Sequence, residues 1–197
     1  MVPPSLSKSS TLASPSKLKL MLTVFKTVKL WRPDGRLLHT LKGHTDIVSA
    51  VAFSPDAQVI ASAAEDNTVK LWQLNGTLLR TLKGHTDEVW GVAFSPNGQT
   101  IASASDDKTI KLWQPNGSLL ATISGHSAGV NSVALSPNGK AIASGSADKT
   151  IILWNLDRVL DLDKLLVYGC GLARDYLKTN PDVSKSDRHL CDGIKLP

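Results

Sequence analysis

Tryptophan recurs at positions 31, 72, 113 and 154, each time 41 residues after the last. Gly-His dipeptides keep the same interval, at Gly43-His44, Gly84-His85 and Gly125-His126. A constant period near 40 marks a tandem repeat, in which one small supersecondary unit is stacked on copies of itself. No other feature constrains the chain as much. A unit of this size cannot bury its own apolar faces, so each copy has to be covered by its neighbours.

Within a copy the pattern reads as four short strands. Glu88–Ser95 (EVWGVAFS), Thr100–Ser105 (TIASAS), Thr109–Trp113 (TIKLW) and Ser118–Ile123 (SLLATI) are separated by Pro96-Asn97-Gly98, Asp106-Asp107-Lys108 and Pro115-Asn116-Gly117. Runs such as GVAF are apolar on both faces, which suits strands sandwiched between two neighbours. Gly43–Lys83 and Gly84–Ser124 are identical at 26 of 41 positions. The third copy runs from Gly125 to Trp154 and then departs, three strands long. At the front, Lys26–Leu41 matches the last two strands of a copy. Upstream the match stops, with Phe25 where the other copies have Asp66, Asp107 and Asp148.

The Gly-His dipeptides, the turns SPDAQ, SPNGQ and SPNGK, and the endings DNTVKLW, DKTIKLW and DKTIILW resemble the WD-repeat (β-transducin-like) family of β-propellers, from Lys26 to about Asn155. The residue after each Trp departs from the family's usual Asp: it is Arg32, Gln73, Gln114 or Asn155. The resemblance implies an all-β fold, an incomplete, open WD-repeat β-propeller of four-stranded antiparallel blades, followed by a short α-helical C-terminal tail. The expected organisation is a non-repeat basic leader (1–25), an array over 26–155 and a helical tail (156–197). The array divides into a half blade (26–42) and repeats at 43–83, 84–124 and 125–155. The tail segments RDYLKTNP and SDRHLCDGI are similar to the end of large bacterial multi-repeat WD proteins, which implies a piece of a longer regulatory or signalling protein.

Two flanking segments have expectations of their own. Leu162, Leu165, Leu166, Leu172, Ala173, Tyr176 and Leu177 recur at helical spacing, with Asp161 placed to cap and Asn180-Pro181 to stop the helix. An amphipathic stripe of this kind usually buries itself, so a cover for the last blade is preferred over a free docking helix. Lys17–Phe25 (KLKLMLTVF) is β-prone. It is expected to pair locally beside Thr27–Trp31, because three and a half blades leave a wide gap to the far end of the array.

Each full copy carries a His, a Ser, an Asp and a Trp: His44, Ser62, Asp66 and Trp72; His85, Ser103, Asp107 and Trp113; His126, Ser144, Asp148 and Trp154. Ser, His and Asp are the parts of a hydrolase triad, so a small serine hydrolase using one set is the competing reading. The resemblance implies a structural staple instead, in which Asp accepts from His, His bonds Ser, and Ser meets the indole N–H. Repetition agrees with the staple: an enzyme needs one activated nucleophile, whereas a structural network is needed once per blade. No enzyme, metal or cofactor is expected. His44, His85 and His126 lie on separate copies, His39 and His189 have no ligand-spaced neighbour, and no phosphate-cradling or dinucleotide motif is present.

The net charge of +5 is local. Residues 1–32 hold Lys8, Lys17, Lys19, Lys26, Lys29 and Arg32 and no acid, while the remainder carries 16 bases against 17 acids. Nucleic-acid binding is therefore an alternative confined to the leader. Cys170 and Cys191 both lie in the tail, so no disulfide framework holds the array, and a cytoplasmic location with free thiols is expected. No apolar run approaches the ~18–20 residues of a membrane span. Binding is expected at positions that vary while the scaffold repeats: Ser49, Trp90 and Asn131, five residues past each His, and Ile47 and Glu88, three past. In propellers of the resembling family this stretch opens onto the top face. Trp90 stands out, since a large aromatic where its counterparts are small and polar fits a binding hot spot. The function expected is a non-catalytic protein–protein interaction scaffold. Its partners are proteins, among them a second copy that completes the propeller.

Overall fold

The computed structural model describes residues 19–22 and 26–159. Its local geometry starts with the Ser-Pro turns. Ala57, Gly98 and Gly139 donate their N–H groups to the carbonyls of Ser54, Ser95 and Ser136 at 2.8, 2.9 and 2.8 Å, closing turns that place Pro at the second position. The residue that ends each turn is left-handed, with φ of +70° at Gly98 and Gly139 and +55° at Ala57. Two copies use glycine there, and the third strains an alanine into the same place.

The described residues fold into four antiparallel sheets. The first holds β1 (Lys19–Leu22), β2 (Thr27–Trp31) and β3 (Leu37–Lys42). The second holds β4 (Val48–Phe53), β5 (Val59–Ala64), β6 (Thr68–Gln73) and β7 (Leu78–Lys83). The third holds β8 (Val89–Phe94), β9 (Ile101–Ser105), β10 (Thr109–Trp113) and β11 (Leu119–Ser124). The fourth holds β12 (Val130–Leu135), β13 (Ala141–Ser146) and β14 (Ile151–Asn155). Strands follow one another in chain order within every sheet, and the first strands of successive sheets lie side by side, β4 against β8 and β8 against β12.

The core lies between sheets. Val28, Leu30 and Leu41 of the first sheet form one cluster with Val48, Val51, Ile60, Ala64 and Trp72 of the second. One period later, Val69, Leu71 and Leu82 cluster with Val89, Val92, Ile101 and Trp113. Each interface is thus the previous one moved along by a repeat, as a one-dimensional stack requires. Gly91 is demanded by this stacking: a Cβ there would lie 3.3 Å from both Ser132 Cα and Val133 N of β12.

The leader supplies a finding that sequence matching misses. β1 pairs with β2 in the register Lys19↔Trp31, Leu20↔Leu30, Met21↔Lys29, Leu22↔Val28. In the second sheet β5 pairs with β6 as Ile60↔Trp72, Ala61↔Leu71, Ser62↔Lys70, Ala63↔Val69. The two registers coincide residue for residue, so the repeat's backbone frame continues upstream of Lys26 although its residues do not. The expected local pairing is present over residues 19–22, and among the described residues the first sheet holds three strands.

One compact unit ends at Trp154 and a second begins at Asn155. The described part of the second includes one helical turn, α1 (Leu156–Val159), where the Asn155 side-chain oxygen accepts the Asp157 N–H at 2.9 Å. The helix expected over 162–177 lies outside the described residues.

Candidate functional site

The polar side chains buried by this stacking assemble three times in the same way. His44 Nδ1 lies 2.8 Å from Asp66 Oδ2 and its Nε2 2.7 Å from Ser62 Oγ, which accepts the Trp72 indole N–H at 2.8 Å. His85, Asp107, Ser103 and Trp113 repeat these contacts at 2.7, 2.8 and 2.9 Å. His126, Asp148, Ser144 and Trp154 do so with all three at 2.8 Å. All twelve residues marked by the sequence are brought together, in three sets of four.

Each set ties distant parts of a sheet. The His comes from the segment before the first strand, the Ser from the second strand, the Asp from the following turn and the Trp from the third strand. The Gly beside each His lets the indole approach: a Cβ at Gly43, Gly84 or Gly125 would meet Trp Cη2 at 3.0, 3.1 or 2.7 Å. Each Asp carries further donors that the sequence reading did not assign. Asp66 accepts the Thr45 and Thr68 N–H groups and the Thr68 hydroxyl; Asp107 and Asp148 repeat the pattern with Thr86 and Thr109, and with Ser127 and Thr150. The signal was present in the Asp-x-Thr spacing at 66–68, 107–109 and 148–150.

Protonation follows from burial. Desolvation pushes the His44 and His85 imidazoles below their ordinary 6.5, and the upward pull of Asp66 and Asp107 does not offset it. Both rings are neutral at pH 7, with Nδ1–H donating to Asp and Nε2 accepting from Ser. Burial raises the Asp66 and Asp107 carboxyls, but their hydrogen-bond donors outweigh it and hold both below 3.8. Asp148 is held far below the carboxylate range by the Thr150 hydroxyl first, against the opposing effect of burial, with His126 adding to the fall.

The Asp–His–Ser distances are those of a hydrolase triad, so geometry alone does not separate a staple from a nucleophile. Access does. Ser62 and Ser103 are 0% exposed and Ser144 2%, and each hydroxyl oxygen is already occupied by an indole N–H. A serine sealed beneath a tryptophan cannot reach a carbonyl carbon. The three sets are structural tetrads. Among the described residues no group of three His, Cys, Asp or Glu side chains is placed to hold a metal ion.

The variable positions turn out to share a backbone feature. Pairing between the first two strands shifts register at Val48/Ala50, Val89/Gly91 and Val130/Ser132. Ser49, Trp90 and Asn131 are therefore the extra residues of three equivalent β-bulges, free of the ladder's alternation and able to carry different side chains on one scaffold. Ser49 donates its hydroxyl to the carbonyls of Ala63 and Val89, the latter in the next sheet. Trp90 is half-buried, and its indole N–H has no hydrogen-bond partner among the described residues. Asn131 is exposed. Ile47 is 37% exposed, and Glu88 is half-buried. The Glu88 carboxyl is raised by burial first and then by Glu65, Asp106, Asp87 and Asp46, so acids gather around this stretch.

Among known families, residues 35–73, 76–114 and 117–155 match the WD40 model, described as the WD domain, G-beta repeat. Each match begins in the turn before an outer strand (β3, β7 or β11) and ends at the close of the third strand of the next sheet or one residue past it. A repeat therefore straddles two sheets and ties them covalently. A comparison with curated proteins gave no match. The three matched stretches span more than half of the chain and carry a tetrad each, and the chain belongs to the WD40 repeat family.

Proposed function

We propose that this protein is a non-catalytic scaffold for protein–protein interaction in the cytoplasm, and that its partner-reading positions are Ser49, Trp90, Asn131, Ile47 and Glu88. One observation carries the reading: Ser49, Trp90 and Asn131, which differ from copy to copy, sit on bulges of three adjacent first strands, while the tetrad residues are the same in every copy. A rigid repeat with variable bulge residues separates recognition from stability. Trp90 is the anchor, because it offers a large, half-buried ring where Ser49 and Asn131 are small and polar. Gathered carboxylates around Glu88 favour a partner that brings cationic side chains.

The experiment compares proteins retained by the parent chain and by Trp90→Ala, with melting curves as a check on folding. Proteins held by the parent and lost with the variant support the reading. An unchanged set retained by a folded variant overturns the role of Trp90. Labelling of one serine by a covalent serine-hydrolase probe would overturn the scaffold reading altogether.

A further inference from the structure

Successive junctions between sheets are built alike, and two differences meet between the second and the third. Leu74 packs with Leu38 and Phe53 against the core cluster shared by the first and second sheets. One period later Leu79 and Phe94 hold the places of Leu38 and Phe53. The place of Leu74 is taken by Pro115, whose ring is shorter and which is not part of the cluster. A cavity of about 780 Å³ lies there, lined by Leu71 and Leu79 of the second sheet and by Phe94, Pro115 and Leu120 of the third. Leu71 is buried, Leu79 and Phe94 are half-buried and Leu120 is exposed, so the apolar lining runs from the core to the surface.

The second difference is charge. Asp56, in the turn between β4 and β5, also lines the cavity, whereas its equivalents Asn97 and Asn138 are neutral amides. Of the described residues around the cavity, Asp56 alone is charged. Its Oδ1 accepts the Ser54 hydroxyl and the Gln58 N–H at 2.5 and 3.0 Å, and Oδ2 has no partner among the described residues. The Ser54 hydroxyl first, and then the Gln58 N–H, hold this carboxyl below 3.8, so it is ionised at neutral pH.

We propose that this cavity binds a small organic cation, an ammonium group on an apolar body, with the ammonium at Asp56 and the body along Leu71, Leu79 and Phe94. A carboxylate beside an apolar lining, with no cation of the described lining to neutralise it, selects such a ligand over an anion or a neutral solute of the same shape. The volume falls in the range of about 300–1,000 Å³ usual for small-molecule sites. Asp56 and Phe94 lie at or beyond the ends of β4 and β8, whereas the bulges that carry Ser49 and Trp90 lie at their starts. The cavity is therefore separate from the partner-reading positions.

The test titrates the full chain with phenethylamine, phenethyl alcohol and hydrocinnamate, which share an apolar body and differ in charge, and follows the methyl resonances of Leu71, Leu79 and Leu120 by NMR. Saturable shifts are expected, with the amine bound tightest and the carboxylate weakest. The amine should lead the alcohol by about two- to fivefold, the size of an exposed ion pair, and by less at high salt. Asp56→Asn copies Asn97, keeps the acceptor that closes the turn, and should abolish that lead. Pro115→Leu copies Leu74 and should weaken all three probes together, by at least about threefold. Equal affinities for the three probes overturn the proposal, as does the absence of saturable shifts at these methyls. So does a folded Asp56→Asn that still prefers the amine, or a folded Pro115→Leu with the parent's affinities. The parent's ranking and Asp56→Asn decide the matter even where Pro115→Leu fails to fold. Tighter binding of a capped Leu-Lys-Leu tripeptide at the same methyls would assign the cavity to a partner chain and overturn the small-ligand reading. Trp90 enters none of these measurements, so this proposal and the partner-binding reading fail separately.

Discussion

Asp107→Ala isolates the tetrad's contribution, because the structure specifies what each orphaned donor can do afterwards. The Asp107 carboxylate accepts four hydrogen bonds: from His85 Nδ1–H at 2.7 Å, from the Thr86 N–H at 3.2 Å, and from the N–H and hydroxyl of Thr109 at 3.0 and 2.6 Å. Thr86 is exposed and Thr109 half-buried, so water replaces the carboxylate for most of their bonds. His85 has no such recourse, since its side chain is 1% exposed. A buried donor left without a partner costs about 1–3 kcal/mol, and the rehydrated threonine bonds together cost about 1 kcal/mol more. The expected loss is therefore ~2–4 kcal/mol. For a chain of this length it lowers the melting temperature by roughly 5–12 °C. Asp107→Asn keeps an acceptor for His85 and should lose about half as much. Thermal and urea unfolding at pH 7.5 measure both variants. A melt for Asp107→Ala within about 1 °C of the parent would mean that the buried His85–Asp107 bond contributes nothing net, and the argument for a structural tetrad would fail.

Other consequences are as direct. Ala57→Gly should stabilise by about 0.5–1 kcal/mol, because φ is +55° where the equivalent turns have Gly98 and Gly139, and a higher urea midpoint would register it. Gly91→Val should destabilise by about 1–3 kcal/mol, since even its Cβ would press on the β12 backbone at 3.3 Å; an unchanged midpoint would refute the tight β8–β12 approach. Stability should fall as pH drops below 6.5, because His44 and His85 are depressed in the folded state and the unfolded chain takes up protons first. The slope is about 1.4 kcal/mol per pH unit for each histidine until its folded pKa is passed, and a melt that rises between pH 7 and 5.5 would reverse the sign. Asp66 and Asp107 are also depressed, so their contribution is present above 3.8 and lost only as pH falls further.

The tetrads were legible in the sequence because burying four polar groups together is costly unless all are paired, so their identities and spacing recur unchanged. His85, Ser103, Asp107 and Trp113 could be read from position alone. The bulges could not. Ser49, Trp90 and Asn131 look like ordinary strand residues, since an extra residue on one strand shows only when the partner strand's register is known. Trp90 stands out in the sequence by its size, whereas its buried, unpartnered indole N–H shows only in the packing around it. The continuation into β1 was hidden for a different reason. Sheet register is fixed by backbone pairing with β2, and that pairing tolerates Lys19 for Ile60 and Met21 for Ser62 without leaving a trace in residue identity.

That tolerance has a measurable cost. β1 keeps the repeat's register with Met21 at the position of the serines that accept the Trp72 and Trp113 indoles, and the corresponding Trp31 N–H is buried without a partner among the described residues. An orphaned buried donor of this kind costs about 1–3 kcal/mol, so the first sheet is held less firmly than the two that follow. β1 also has β2 on one side and no strand on the other among the described residues, whereas β5 and β9 are paired on both. Native-state amide exchange should therefore show protection at alternate residues of 19–22, those whose N–H groups point to β2. Their opening free energy should lie about 1–3 kcal/mol below that of β5 and β9, or roughly ten- to a hundredfold in rate. Alternation carries the argument, because a disordered leader gives none and a strand enclosed on both sides protects every residue. Free-peptide rates throughout 19–22 would show that the segment does not pair with β2, and the extension of the repeat frame upstream of Lys26 would have to be abandoned.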